Sequence, residues 1–357
     1  MIIAVPAVFI FLINFSVKRG TAEVYFTKRI DPVAVVELFE KIDPGFKGHK
    51  IGVKVHFGED GNEYYLPASL AKNLVLMLKA NLVETNVLYK SRRSRTGTHI
   101  ELAREHGFDY APIDILDSKK ELSIKTPSHK YFEEVKIGGN MDDYDGFVIF
   151  SHFKGHGYAG FGGAIKNVSM GFATPAGKRA MHAAFYPLYD EKKCVKCGLC
   201  EKECPGEAIK IDPIKIDPVK CIGCGKCVSI CPAKVYTVSQ NNDKHRIFLE
   251  KLVEYAKTVI ERKPAVYINV LANISKYCDC SSKAPEPFVP DIGILASKDI
   301  VAIEAASHDI VNKAYQCKDA FLKENALSGK RQIEYAEELK MGTSLYRIID
   351  IDEKSKK

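Results

Sequence analysis

The chain has 357 residues, 46% apolar and 27% charged, with 52 Lys and Arg against 45 Asp and Glu for a net charge of +7. That apolar content is enough for two or three packed units and excludes a disordered or collagen-like chain. The positive excess is too mild and too evenly spread to indicate nucleic acid, and eight of the eleven cysteines fall in two dense clusters of a large Lys-rich chain, which reads as metal ligation in a reducing compartment, the cytoplasm, rather than as a disulfide framework.

Met1 to Phe15 is apolar apart from Pro6 and Asn14, and the first charge is Lys18. A membrane span needs about 20 such residues, and a secretory signal needs a basic residue before the run and a small-residue cleavage site after it. Residues 1–19 therefore read as an apolar N-terminal extension, with membrane contact left open only through residues 1–17. From Glu23 onward, short β-branched runs alternate with helical patterns: VYF, DPVAVVELFEKI, KIGVKVHF, PASLAKNLVLMLKANL, TNVLY and THIELAREHG. Such alternation builds an α/β fold, a mostly parallel sheet flanked by helices. Asp31-Pro32 supplies an N-cap and a first-turn proline, and Gly107 closes a later helix. Pro112 to Gly139 reads as irregular. Gly146 to Ser151 (GFVIFS) reads as a buried strand leading into a glycine-rich loop.

The insert that follows contains an internal repeat, in which CVKCGLCEKECPGEAIKID from Cys194 aligns with CIGCGKCVSICPAKVYTVS from Cys221, 27 residues later. After it come an amphipathic helix over His245 to Arg262, strands over Ala265 to Ile274 and Asp291 to Leu295, and helices from Asp299 and Arg331. The expected organisation is one discontinuous α/β domain, residues 20–189 and 239–357, interrupted by a small ferredoxin-like α+β insert at residues 190–238.

Each repeat carries Cys-x2-Cys-x2-Cys-x3-Cys-Pro, the spacing of bacterial two-cluster ferredoxins, in which the fourth cysteine of one run ligates the cluster of the other. Cys194, Cys197, Cys200 and Cys231 are thus expected to hold one [4Fe-4S] cluster, and Cys221, Cys224, Cys227 and Cys204 the second. Zinc would call for two pairs separated by a longer loop. Gly198 and Gly225 let amides approach the sulfides. The resemblance to bacterial-type ferredoxins implies low-potential one-electron transfer, and so short an insert needs its clusters for stability.

Several polar motifs follow directly on expected strands: Lys54-Val55-His56-Phe57-Gly58-Glu59, Tyr89 to Arg95, His152-Phe153-Lys154-Gly155-His156, Cys278-Asp279-Cys280 and Ser297-Lys298-Asp299. Ligands of open parallel sheets bind at the carboxyl ends of strands, so these loops are expected to line one crevice. Within it His56, His152, His156, Cys278 and Cys280 are the candidates for catalysis or a further metal. The Cys-Asp-Cys stretch is equally a candidate redox dithiol, and packed, hydrogen-bonded side chains are the plainer alternative. The loop Gly155 to Asn167 offers Gly160, Gly162 and Gly163 as a cradle of amides before a helix start, with Lys154, Lys166, Arg92, Arg93 and Arg95 supplying charge; this points to an anionic ligand, against the simpler reading of a mobile loop with solvated cations.

VKVHFGE, SRRSRTGTH, HFKGHGYAGFGGAIKNVSMG, CDC and PDIGILASKD together resemble the recurring motifs of the family called domain of unknown function 362, from about Glu23 to Asn312. The resemblance implies an α/β body with the ferredoxin insert in the same place, and no agreed reaction. The leading expectation is an oxidoreductase whose clusters relay electrons between an external donor, a redox protein or small molecule, and a substrate or an anionic or flavin-type cofactor in the crevice. The alternative is a non-catalytic carrier or assembly factor with the α/β domain as docking module. Nucleic acid is the weakest partner, since Arg92-Arg93-Ser94-Arg95 lacks interleaved aromatics.

Overall fold

The computed structural model describes residues 20–46, 49–183, 186–218, 220, 221, 223, 226–237 and 242–353; the extension 1–19, Cys224 and Gly225 lie outside the described residues. An eight-stranded sheet carries the fold: β1 (Ala22–Thr27), β2 (Ile51–Lys54), β3 (Asn81–Glu84), β4 (Ile113–Ile115), β5 (Gly146–His152), β6 (Ala265–Leu271), β7 (Gly293–Ser297) and β8 (Tyr346–Asp350). Their spatial order is β8-β1-β7-β6-β5-β2-β3-β4. β7 runs antiparallel to both neighbours, and every other pairing is parallel.

Helices cover both faces, which is why β2 and β5 are buried along their whole length. Alternation along β5 sends Phe147 and Ile149 into one core with the helices Ala164–Phe172, Asn242–Arg262 and Ile300–Ala314. Val148 and Phe150 enter the other core, with the helices Pro32–Ile42 and Ser69–Leu78. The local signals behave as expected at the termini. Asp31 accepts the amides of Val33 and Ala34 ahead of Pro32. Gly107 takes φ +88° after the helix Thr96–Glu105, where the Phe108 amide closes onto the Ala103 carbonyl.

Three expectations need correction. The strand expected at TNVLY lies earlier, at Asn81–Glu84, because Lys79 adopts the left-handed conformation (φ 48°) and ends the preceding helix at Leu78. Pro112 to Gly139 is not irregular: it holds β4 and the antiparallel hairpin Glu121–Lys125/Glu134–Gly138, whose alternating exposure leaves little apolar periodicity to read. Because β7 is antiparallel, Ser297-Lys298-Asp299 exits at the edge opposite the crevice, with Ser297 beside Tyr267 near the start of β6. There Asp299 caps the helix Ile300–Ala314.

In the inserted segment Leu188–Tyr189 pairs antiparallel with Tyr236–Thr237, joining its two ends. Within lie the short helices Leu199–Lys202 and Lys226–Ile230 and the hairpin Ile209–Ile211/Ile214–Ile216. Among the described residues no helix is long and apolar enough to cross a membrane.

Replacing Asp31 with Ala removes the acceptor for two first-turn amides and is expected to lower stability by about 1 kcal/mol, read as a fall in the urea midpoint at unchanged slope.

Candidate functional site

β2, β5 and β6 end on the same edge of the sheet, and the loops that follow them meet at Asp279. This carboxylate is buried (3% exposed). His152 Nδ1 lies 2.9 Å from one oxygen; Lys154 Nζ and His56 Nδ1 lie 3.0 and 3.9 Å from the other. Burial opposes ionisation of Asp279, but His152 and Lys154 outweigh it and hold the carboxyl well below its ordinary range. His152 Nε2 faces the Ala272 carbonyl at 2.7 Å, so both ring nitrogens meet acceptors. The loop is pinned from two further sides: the Glu59 amide donates to the Asp279 carbonyl, and the Tyr89 hydroxyl to that of Cys280.

His56 and His156 are different. Each accepts backbone amides at Nδ1, from Gly58 in the first case and from Tyr158 and Ala159 in the second. Burial, reinforced by Arg93 near His56 and Lys166 near His156, lowers both well below the usual histidine range. Both rings are therefore neutral, with the proton on Nε2.

The basic residues divide into two groups. Arg92 forms a two-point pair with Glu105 at the surface, and Arg95 is exposed. Arg93 is buried between Glu59 (3.5 Å) and Glu84 (3.4 Å), and Lys54 bonds Glu84 (2.9 Å) and Asn167 (2.8 Å). These guanidinium and ammonium groups are committed to internal carboxylates, which the sequence motif alone did not reveal. The ammonium of Lys166, half-buried on the helix Ala164–Phe172, makes no hydrogen bond or ion pair among the described residues. Burial, with Lys154 adding to it, pushes its ammonium down to about 7. Lys178, donating to Thr85 and Asn86, is pushed by burial to about 8.

The glycine loop departs from expectation. Lys154–His156 and Gly160–Gly162 form an antiparallel hairpin rather than a mobile connection. The helix start after Gly163 already has its acceptor: Glu304, fully buried, accepts the Ala164 amide and an amide of Asn269. A side chain at Gly163 would collide with that carboxylate, and one at Gly160 (φ +73°) with the backbone of Leu327 to Gly329. Those two glycines serve internal packing, so they are not a cradle for an external ligand. Gly162 alone faces Lys166, whose Cδ would lie 2.8 Å from an added Cβ. Burial pushes the Glu304 carboxyl up to about 7. Its second oxygen has no hydrogen-bond partner among the described residues.

Cys278 and Cys280 are joined as a disulfide, and a ligand atom of His156 lies within 4.8 Å of both sulfurs. In the insert, Cys200 and Cys227 belong to a small core with Ile209, Ile214, Val235 and Tyr236. The repeat is visible in the backbone. Cys204 Sγ accepts the Ala208 amide at 3.3 Å and Cys231 Sγ the Val235 amide at 3.4 Å, each with a left-handed residue between them (Glu207, Lys234). Cys204, Cys221 and Cys227 line one cleft. Cys200 Sγ lies 3.2 Å from the Tyr236 hydroxyl, and Cys194 accepts the Lys196 amide. Cys197 is exposed.

The family described as Domain of unknown function (DUF362) matches residues 51–309. No curated protein matches the chain significantly. Among solved structures the chain is similar to the lactate racemase apoprotein from Thermoanaerobacterium thermosaccharolyticum, at 14% identity and a TM-score of 0.37, over 70% of this chain and 50% of that one. The chain thus spans half the length of that protein.

Two measurements bear on the site. Sulfate, as a simple anion probe in calorimetry, is expected to bind less tightly as pH rises through about 7, where Lys166 loses its proton, and Lys166→Ala or Gly162→Val should weaken it roughly tenfold. Unchanged sulfate affinity in both variants would remove Lys166 as the anchor. For Glu304, whose folded value of about 7 exceeds the ordinary 4.5, the native state keeps a proton that the unfolded chain releases. The stability it supplies is complete below pH 4.5 and is lost as pH rises through 7, by about 3 kcal/mol. Urea unfolding of the protein and of Glu304→Gln at pH 5 and pH 8 should show that fall as the difference between the two, because the depressed ammonium groups of Lys166 and Lys178, present in both, favour the folded state as pH rises.

Proposed function

Because the chain belongs to the DUF362 family, with no reaction attached to that membership, its function has to be read from its own residues, and we propose that it is an iron–sulfur oxidoreductase of the cytoplasm. Two [4Fe-4S] clusters in the insert would supply one-electron transfer between an external donor and a substrate or anionic cofactor in the strand-end crevice. The observation that carries this reading is the cleft that brings Cys204 of the first repeat together with Cys221 and Cys227 of the second. Crossed ligation requires that grouping, whereas two independent four-cysteine zinc sites do not. The donor set also fits: the sulfurs of Cys194, Cys204 and Cys231 accept backbone amides, the kind of contact that stabilises thiolate ligands and sets cluster potentials.

On this reading Cys194, Cys197, Cys200 and Cys231 hold one cluster, and Cys204, Cys221, Cys224 and Cys227 the other. Contacts hold the chain both just before the insert and beside the crevice. The Tyr186 hydroxyl donates to the Pro218 carbonyl, the His182 ring packs on Tyr158 and Phe248, and the Tyr158 amide bonds His156. In the crevice, Lys166 would orient an anionic group, and the neutral His56 and His156, each with a proton on Nε2, would donate hydrogen bonds to it. Buried Lys54, Arg93, Lys154 and Lys178 against Glu59, Glu84 and Asp279 leave the crevice positive, which favours an anionic guest.

The second reading, a non-catalytic electron carrier, draws support from exposed apolar side chains clustered in sequence on and beside the insert, Leu188, Tyr189, Val195 and Leu199, of the kind that a protein partner covers. It leaves the unpartnered Lys166 and the neutral histidines without a task.

Anaerobically reconstituted protein is expected to hold about eight iron and eight sulfide per chain, and Cys204→Ser to lose the cluster shared with Cys221, Cys224 and Cys227 while retaining the other in electron paramagnetic resonance. Stoichiometric zinc, or loss of the Cys194 cluster instead, would overturn the assignment.

A further inference from the structure

We propose that Cys278 and Cys280 form a redox-active dithiol–disulfide couple at the floor of the crevice, the immediate acceptor of electrons delivered from the insert. The source of those electrons rests on the iron–sulfur reading above; the couple itself does not.

Both sulfurs are already paired, and their Cα atoms stand 5.2 Å apart, inside the roughly 4.4–6.8 Å range of bridged cysteines. The backbone is fixed at each of the three residues. The Cys278 carbonyl accepts the Ser281 amide, the Asp279 carbonyl the Glu59 amide and the Cys280 carbonyl the Tyr89 hydroxyl. Between the two cysteines in sequence, the Asp279 side chain is held by His152 and Lys154. None of these contacts involves sulfur, so the bond can open and close on a rigid frame. Disulfides in a reducing compartment are characteristically catalytic or redox-sensing rather than structural.

The surroundings suit this chemistry better than they suit a metal. The third group close to the sulfurs is His156, and its Nδ1 already accepts the amides of Tyr158 and Ala159. The ring's remaining nitrogen carries the proton, so it offers an N–H and not a lone pair. Two thiols are then the only donors of the group, fewer than the four ligands of a structural zinc site or the three of a catalytic one. A proton on His156 Nε2 and positive charge on Lys154 and Lys166 are what a departing thiolate needs.

The step balances as follows. The S–S bond accepts two electrons, one at a time, from a one-electron donor of the reduced iron–sulfur class, and breaks. The two sulfurs take up two protons from solvent, leaving Cys278 and Cys280 as thiols, while the neutral His156 ring supplies a hydrogen bond and no net proton. Reoxidation by a two-electron acceptor in the crevice restores the bond and releases both protons.

The experiment uses the full-length holoprotein, equilibrated anaerobically in graded mixtures of reduced and oxidised dithiothreitol, acid-quenched, denatured and treated with iodoacetamide. Trypsin releases Tyr277 to Lys283 as one peptide containing both cysteines. Mass spectrometry is expected to show this peptide passing from doubly alkylated to internally disulfide-bonded in a single two-electron transition, about 30 mV per tenfold change in the ratio of oxidised to reduced peptide. In Cys278→Ser, Cys280 should stay alkylated at every ratio, with iron content unchanged. Iron and sulfide are measured on the same samples. Full iron with a peptide that remains doubly alkylated throughout overturns the couple and leaves the cluster reading standing. A clean transition in protein lacking iron overturns the cluster reading and leaves the couple. Stoichiometric zinc that is released on alkylation of this peptide would also overturn the couple, in favour of a metal site.

Discussion

A carboxylate buried among cations organises the crevice edge of this protein. Asp279 could not remain ionised at 3% exposure without His152 and Lys154. Those partners come from the end of β5, while Asp279 itself comes from the loop after β6. The same ion pair therefore locks two loops together, and the Glu59 amide on the Asp279 carbonyl adds the loop after β2. Glu84, at the end of β3, has the matching role on the neighbouring strand, holding Lys54 and Arg93. Removing one member of such a set leaves an uncompensated buried charge, so the network determines where the loops sit as well as how positive the crevice is.

This division of labour explains which basic residues face a ligand. Lysine and arginine that are paired inside the network shape the site, and the one ammonium left over among the described crevice residues, Lys166, is the group available to a guest. Glu304 acts on the opposite side of the same helix start. By capping the Ala164 amide from within the core it takes the role that an external anion would otherwise fill, and it forces glycine at position 163, where a side chain would meet its oxygens. The glycine-rich loop is thus mostly a packing solution, tight because backbone passes over backbone at Gly160 and over a carboxylate at Gly163.

The insert follows a different logic. Its apolar core, among the described residues, is six buried side chains, two of them cysteines, too little to stabilise a unit of this size by burial alone. The duplicated half-module has the same amide-to-sulfur contact in each copy, and on the proposed reading ligation of the clusters by its cysteines would supply what the core lacks.

How much was legible in the sequence depended on the range of the interaction. Asp31-Pro32, Gly107 and the fully apolar GFVIFS run are local devices, each determined within a few residues, and they appear in the structure as read. The alternation of strand and helix patterns similarly fixes an α/β sheet, and the cysteine spacing with its 27-residue offset fixes a repeat. Strand direction is not encoded that way. Nothing within GILAS distinguishes a parallel from an antiparallel strand, so only the assembled sheet put Ser297-Lys298-Asp299 on the far edge while bringing Cys278-Asp279-Cys280 to the crevice. Nor does a basic motif disclose its partners: Arg92 and Arg93 are neighbours in sequence, yet one pairs with Glu105 at the surface and the other is buried between Glu59 and Glu84. Charge pairing across tens or hundreds of residues is decided by the tertiary structure, because the energy of a buried charge depends on what surrounds it and not on what precedes it in the chain.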